Sequence, residues 1–333
     1  MENKEKLWAL TVHMTQNWDP LLEKAPFTFT DDVWNEVLEA AVDTGINTVI
    51  FDLLDGIEYG SHPEIAVPGA WSRKRMRDEI KRLKNLGITA IPRLNFSAAH
   101  CLWLGEYMKM ISSKIYYSVC RDLILEAAEL FGNPPYMSIV MDEEDADHIV
   151  KDRINIIRDG KAMWHDLRFL FDCVHETGAK PIISHDLLFG HTEEFIQNVS
   201  NDEVVIMPWY YSAFKPKHYM PITARDTLVE YYSKDKYKGM NIQYLEDDPW
   251  NVNFRNKVLP CAQYGYQYLP TVSFVNHQAY CFEDSINFYK ENLPQEQLEG
   301  FVVSVFLTMT PEHKEQFLKN LELMKEAKKL YYK

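Results

Sequence analysis

The chain has 333 residues, 46% of them hydrophobic, which is ample for a large core. Its formal charge of −14 at pH 7 argues against nucleic acid and anionic membrane surfaces as partners, because both attract an excess of Lys and Arg. With 8 Trp, 19 Tyr and 17 Phe, the aromatic content suits both a core and a cleft that stacks on sugars.

Residues 7–12 predict a first apolar strand ending at His13. Val33, Val37, Leu38, Ala41 and Val42 recur at helical spacing over 33–44, with Thr30 as N-cap and Gly45 as stop. Residues 48–53 form a second strand, ending in Asp52 and Asp55. A loop of His, Pro, Gly and Trp runs to Trp71, and Ser72 caps a basic amphipathic helix that ends at Asn85-Leu86-Gly87. The third strand, 88–94, leads to Asn95 and His100, and a helix follows over 117–131. The fourth strand, 136–141, stops abruptly in four acids, Asp142, Glu143, Glu144 and Asp145.

A helix over 161–177 precedes the fifth strand, 180–184, which ends at His185-Asp186. A short helix over 193–199 leads to the sixth strand, 203–207, and then to Trp209, Tyr210 and Tyr211. Residues 223–232 read as helix, 240–245 as an extra strand or loop, and 252–263 as helix. The seventh strand, 268–274, is followed by Asn276 and His277, and a helix over 285–292. The eighth strand, 301–307, and a charged helix over 312–330 complete the chain.

Eight strands alternating with helices predict an α/β fold, a (β/α)8 TIM barrel with a parallel sheet, as one domain over 1–333. The rival is an open doubly wound sheet. Neither of its nucleotide-binding fingerprints is present: there is no GxGxxG after the first strand and no GxxxxGK[ST].

In a barrel the residues after each strand share one rim, where the chemistry sits. His13, Asn17, Asp52, Asp55, Asn95, His100, Asp142, Glu143, His185, Asp186, Trp209, Tyr210, Tyr211, Asn276, His277 and Thr308 are that set, with Arg93 nearby as a positive charge. Acids, amides, histidines and aromatics suit a carbohydrate site, and Gly-rich phosphate loops are missing. Adjacent carboxyls at such a rim repel, so one can keep its proton as an acid while the other is ionised. The duller alternative is a solvated acidic loop, capping Asp residues, core aromatics and hydrogen-bonded histidines.

A metal-dependent hydrolase or sugar isomerase is a further rival, but there is no HxH after the first strand and no HExxH. No metal or cofactor is expected. Five cysteines without a CxxC point to a reducing, cytoplasmic compartment. The N-terminus carries no apolar signal segment, and no run nears the ~18 apolar residues of a membrane helix. A homo-oligomer is left open.

Ile91-Pro92-Arg93-Leu94-Asn95-Phe96-Ser97-Ala98-Ala99-His100, together with Ser138-Ile139-Val140-Met141-Asp142-Glu143, resembles glycoside hydrolase family 20, the β-N-acetylhexosaminidases. There the third strand leads to Pro-Gly-His and the fourth ends in Gly-Gly-Asp-Glu. The chain is also similar to single-domain bacterial barrels of this kind at residues 61–67, 94–97, 103–107 and 209–211. The resemblance implies Glu143 as general acid/base and Asp142 as the residue that orients a 2-acetamido group. That group's carbonyl oxygen would attack the anomeric carbon, an exception to the two-carboxylate scheme. It implies His100 as support for the acid, and Tyr210 or Tyr211 as a hydroxyl to the acetamido group. The activity implied is a retaining, exo-acting hexosaminidase.

The chain departs from the family in two places. Val140-Met141 stands where the family has Gly-Gly, and residues 304–308 lack the Trp and Glu that hold sugar hydroxyls. Two other readings stay open: a conventional pair of Glu143 with Asp52, Asp186 or Glu246 on a non-acetylated sugar, and a non-catalytic carbohydrate-binding barrel.

Overall fold

The structure is a computed structural model and describes residues 5–20, 22–144, 156–209, 254–273 and 281–333. Strands β1 (Leu7–His13), β2 (Thr48–Asp52), β3 (Thr89–Arg93), β4 (Tyr136–Val140), β5 (Lys180–Ser184) and β6 (Val205–Met207) lie side by side in chain order, all parallel. The seventh strand, β7, comes in two pieces, Gln267–Tyr268 and Thr271–Val272. The first pairs with β6, the second with β8 (Gly300–Val303), and β8 pairs with β1.

The divided strand therefore closes the ring. The Leu269 N–H donates to the Ile206 carbonyl at 2.9 Å on one side, and the Val302 N–H donates to the Pro270 carbonyl at 2.8 Å on the other. Pro270 has no N–H to give to a ladder, which accounts for the break. The result is the predicted (β/α)8 barrel.

Helices α1 (Asp31–Thr44), α2 (Arg73–Asn85), α3 (Lys114–Leu130), α4 (Lys161–Glu176), α5 (Asp186–Asn198), α6 (Cys281–Asn292) and α7 (Lys314–Tyr331) surround it. The Ser72 hydroxyl accepts the Arg75 N–H, as the sequence predicts, and Gly45 ends α1 at φ 77. Four differences from expectation have local causes. Ser113 caps α3, so that helix starts earlier than 117. Helix α5 starts at Asp186 rather than 193 and bends at His191. Residues 98–110 form 3-10 turns, whose spacing escapes a 3.6-residue search. Phe254–Val258 is a π turn and Leu259–Tyr264 a 3-10 turn, where a regular helix was expected. The elements expected at 223–232 and 240–245 lie outside the described residues.

The pleat positions the site. Ala9, Ile50, Ile91, Ile182, Val205 and Val302 point inward and fill the barrel, while Leu10, Val49 and Phe51 pack outward against the helices. Two residues on, the same inward parity brings Asp52 after Ile50, Arg93 after Ile91 and Ser184 after Ile182. His13, Asp52, Arg93 and Ser138 are register partners across β1 to β4. The inner face is thus apolar below and polar at its C-terminal end. Among the described residues, no helix is long and apolar enough to cross a membrane. Cys101, Cys120, Cys173 and Cys261 are buried thiols.

Candidate active site

A cavity of about 280 Å³ opens at the C-terminal ends of the strands. His13, Asp52, Asn95, His100, Asp142, Glu143 and Trp209, all expected at the rim, line it together. Trp18, Arg93, Val140 and Phe306 are also part of its wall, with Leu54, Ser184, Met207 and Thr271.

The two acids reach the cavity through a distorted strand end. The pairing of β4 with β5 shifts register between Ser138 and Val140, a bulge of the kind that re-aims side chains beside active sites. Val140, Met141 and Glu143 then take left-handed backbone at φ 54, 59 and 51. For a β-branched residue this is a strained conformation that surrounding structure must impose.

Glu144 supplies part of that constraint. Its carboxylate accepts hydrogen bonds from Arg158 Nε and Nη2, both at 2.8 Å, and from the Ala98 N–H at 2.6 Å. Arg158 also donates to the Phe96 carbonyl and pairs with Asp166. The acidic run therefore divides. Asp142 and Glu143 face the cavity, Glu144 turns into the protein, and Asp145 lies outside the described residues.

Around the pair, Asn95 Nδ2 donates to Asp142 Oδ1 at 2.8 Å. His100 Nε2 stands 3.1 Å from Glu143 Oε2 and 3.6 Å from Asp142 Oδ1. Burial works against the His100 cation, but Asp142 and Glu143 outweigh it and raise its pKa to about 9. His100 is thus an imidazolium held between two acids at neutral pH.

Asp52 meets His13 Nδ1 at 2.7 Å and Arg93 Nε at 3.4 Å. Burial opposes its charge, yet Arg93 and His13 prevail and hold the carboxyl below its usual range. The His13 ring packs against Trp18 and Phe306 at 5.5 and 5.7 Å. Asp55, three positions further, accepts from Thr15 and Asn17 and pairs with Lys24 at 3.0 Å, so it ties two loops together.

His185 and Asp186 are placed otherwise than expected, and neither lines the cavity. His185 is fully buried, with its ring edge-on to Phe189 and Trp209 at 4.7 and 5.2 Å. Burial lowers its pKa to about 3, so it stays neutral. Asp186 accepts from the Ser184 hydroxyl, from Trp209 Nε1 at 3.2 Å and from the Glu143 N–H. Burial, reinforced by Asp142 and Glu143, raises its pKa to about 7. Asp186 thus buttresses Glu143 and Trp209 from behind. Tyr210, Tyr211, Glu246, Asn276 and His277 lie outside the described residues.

Sequence reading missed Trp18 and Phe306, which sit in irregular segments, and the Glu144–Arg158 pair. Arg93, named from the sequence only as a positive charge near the rim, is part of the cavity wall. Among the described residues, no group of three or more His, Cys, Asp or Glu could hold a metal ion.

No protein-family model and no curated protein matches the chain. Solved structures do. The GH20 exo-β-N-acetylglucosaminidase of Vibrio harveyi, in complex with N-acetylglucosamine, superposes with a TM-score of 0.62 at 14% identity, over 97% of this chain and 54% of that one. The β-N-acetylhexosaminidase of Bacteroides fragilis gives 0.59 at 12% identity, over 96% and 65%. The chitobiase of Flavobacterium johnsoniae gives 0.56 at 13%, over 99% and 53%. The chain therefore spans 53% to 65% of these relatives' lengths. What the likeness establishes is the fold: a GH20-like (β/α)8 barrel.

Proposed function

We propose that the chain is a glycoside hydrolase, exo-acting and retaining, that cleaves a terminal N-acetylhexosamine, with its catalytic unit formed by a single barrel. The observation that carries this reading is the Asp142–Glu143 pair, set against His100 in the cavity of a GH20-like barrel. The N-acetylglucosamine in the Vibrio harveyi structure supports the choice of sugar.

In this reading Glu143 gives its proton to the glycosidic oxygen as the bond to the anomeric carbon breaks. The substrate's acetamido oxygen forms the new bond to that carbon, and Asp142 accepts the amide N–H. Glu143, now ionised, takes a proton from water, which attacks the anomeric carbon as that carbon's bond to the acetamido oxygen breaks, so that the acetamido group is regenerated and the original configuration restored. The His100 cation offsets the negative charge of Asp142, and that of Glu143 once its proton has been given up. Asn95, Asp52 and His13 hold hydroxyls and Trp209 offers a ring face; Tyr210, Tyr211 and Asn276 are assigned here from sequence alone. The sequence also supports a cytoplasmic location.

Nitrophenyl N-acetylglucosaminide and N-acetylgalactosaminide, compared with their non-acetylated counterparts, test the reading. The acetamido sugars should be preferred, and Glu143→Gln should lower kcat by about 10²–10⁴-fold. Equal rates on non-acetylated sugars would point instead to a conventional carboxylate pair. Unchanged turnover in the variant would remove Glu143 from the reaction.

A further inference from the structure

Helices α1 and α2 carry opposite charge side by side. Over 31–44, α1 has five acids and no Lys or Arg; over 73–85, α2 has seven Lys and Arg against Asp78 and Glu79. On a chain with a formal charge of −14, so basic a helix is an exception. Part of this charge is satisfied within the fold. Arg75 donates to Asp31 at 2.5 Å and Arg82 to Asn35 at 2.6 Å, while Trp34 Nε1 donates to Glu79 at 2.8 Å. Arg73 pairs with Glu126, and Lys74 with Asp78.

The remaining charges are ordered. Asp32 and Glu39 are exposed and have no ion pair among the described residues, and the same holds for Arg77, Lys81 and Lys84. Asp32 and Glu39 are two helical turns apart, about 10.5 Å, and so are Arg77 and Lys84. Glu36 is exposed between the two acids and pairs with Lys314 of α7 at 2.9 Å. The contact of Trp34 with Glu79 joins residues 45 positions apart. Asp32 and Arg77, Glu36 and Lys81, and Glu39 and Lys84 have that same offset, so each acid stands level with a cation on the neighbouring helix. At the C-terminal ends of the two helices, Val42 and Leu86 are 43% and 48% exposed.

We propose that this α1–α2 face is a two-fold interface between two copies of the chain, with α1 of each copy packed on α2 of the other. A rotation axis parallel to the helices leaves every height unchanged. Asp32 of one copy then meets Arg77 of the other, Glu39 meets Lys84, Glu36 lies level with Lys81, and Val42 lies beside Leu86. Each contact is made twice, as an isologous interface requires. The pairing of signs selects the occupant. A polyanion drawn to α2 is repelled by α1, whereas a second copy presents both signs in matching order. Elsewhere two copies at −14 each repel one another; on this face the local charge balances. Two helices about 20 Å long and about 10 Å wide make a small interface, so the association should be weak enough to titrate. None of these residues lines the cavity, and the interface does not depend on what the cavity binds.

Sedimentation velocity at concentrations up to about 100 µM tests the proposal. The wild type should pass from monomer to dimer over that range. Glu39→Lys sets like charges against each other at both copies of the contact and should weaken the dimer at least about tenfold; Lys84→Glu should do the same. Mixed in equal amounts, the two variants should dimerise as the wild type does, because both contacts then join opposite charges. The double variant Glu39→Lys/Lys84→Glu should regain the homodimer. Either rescue also shows that the single variants fold. A wild type that stays monomeric, with or without heparin bound along α2, would overturn the assignment. So would single variants that dimerise like the wild type, or monomeric single variants that mixing fails to rescue.

Discussion

Glu144 and Arg158 close on each other through two hydrogen bonds of 2.8 Å, with side-chain exposures of 0% and 1%. Through Ala98 and Phe96 the pair also grips the loop that carries Asn95 and His100. Two loops bearing candidate active-site residues thus share one buried clamp. Breaking such a pair from one side strands a charge in the interior and costs about 3–5 kcal/mol. Glu144→Ala should lose stability on that scale in urea unfolding. The double variant Glu144→Leu/Arg158→Met should lose less than the sum of its singles, because neither charge of the pair is left without the other, while Asp166, which also meets Arg158, keeps its hydrogen bonds from Ser112 and Tyr117. Additive losses would show that the pair is not coupled.

Val140 and Met141, non-glycine residues, occupy left-handed backbone at φ 54 and 59. Val→Gly in an ordinary strand costs more than Val→Ala, because glycine adds backbone entropy to the unfolded chain. At position 140 the strain released by glycine, about 1–3 kcal/mol, works the other way. Val140→Gly should therefore be at least as stable as Val140→Ala. Thermal unfolding of the two variants decides it, and a clearly less stable glycine variant would refute the strain argument.

These residues also show how far the sequence could be read. Strand ends are legible because an apolar run that stops in polar residues has few other interpretations, and so His13, Asp52, Asn95, Asp142 and Trp209 gathered in one cavity as expected. The inward turn of Glu144 was hidden, because it depends on a left-handed turn made by non-glycine residues, which leaves no compositional trace. Its partner Arg158 is 14 positions away, beyond any helical or strand period. His185 and Asp186 were expected at the rim as the last polar residues of a strand, but α5 starts immediately at Asp186 and carries both below Trp209. A helix that begins one residue after a strand leaves no loop to turn the side chains outward.

Asp186 makes a pH prediction with a definite sign. Its folded pKa of about 7 stands above the ordinary 3.8, so the folded state holds the proton more tightly. Its contribution to stability is full below about pH 4 and is lost as pH rises through 7. Asp186→Asn mimics the protonated acid and keeps an acceptor for Ser184 and Trp209. The variant should gain on the wild type between pH 4 and 8, as measured by urea midpoints at several pH values. A constant difference across that range would mean the carboxyl does not titrate there.

His100 should act in a higher window. Its pKa rises from 6.5 to about 9, despite burial, because Asp142 and Glu143 stand beside it. A group that binds its proton more tightly when folded stabilises fully below its ordinary pKa and loses that effect as pH climbs through the folded value. The His100 contribution is therefore complete below pH 6.5 and gone above 9. His100→Gln cannot carry the charge, so it should be markedly less stable than wild type at pH 6, and the gap should close towards pH 9.5. The same proton matters for turnover, since its loss leaves two acids facing each other without a cation between them. Wild-type kcat should fall along an alkaline limb near pH 9, and that limb should be absent in His100→Gln. An alkaline limb that persists unchanged in the variant would assign it to another group.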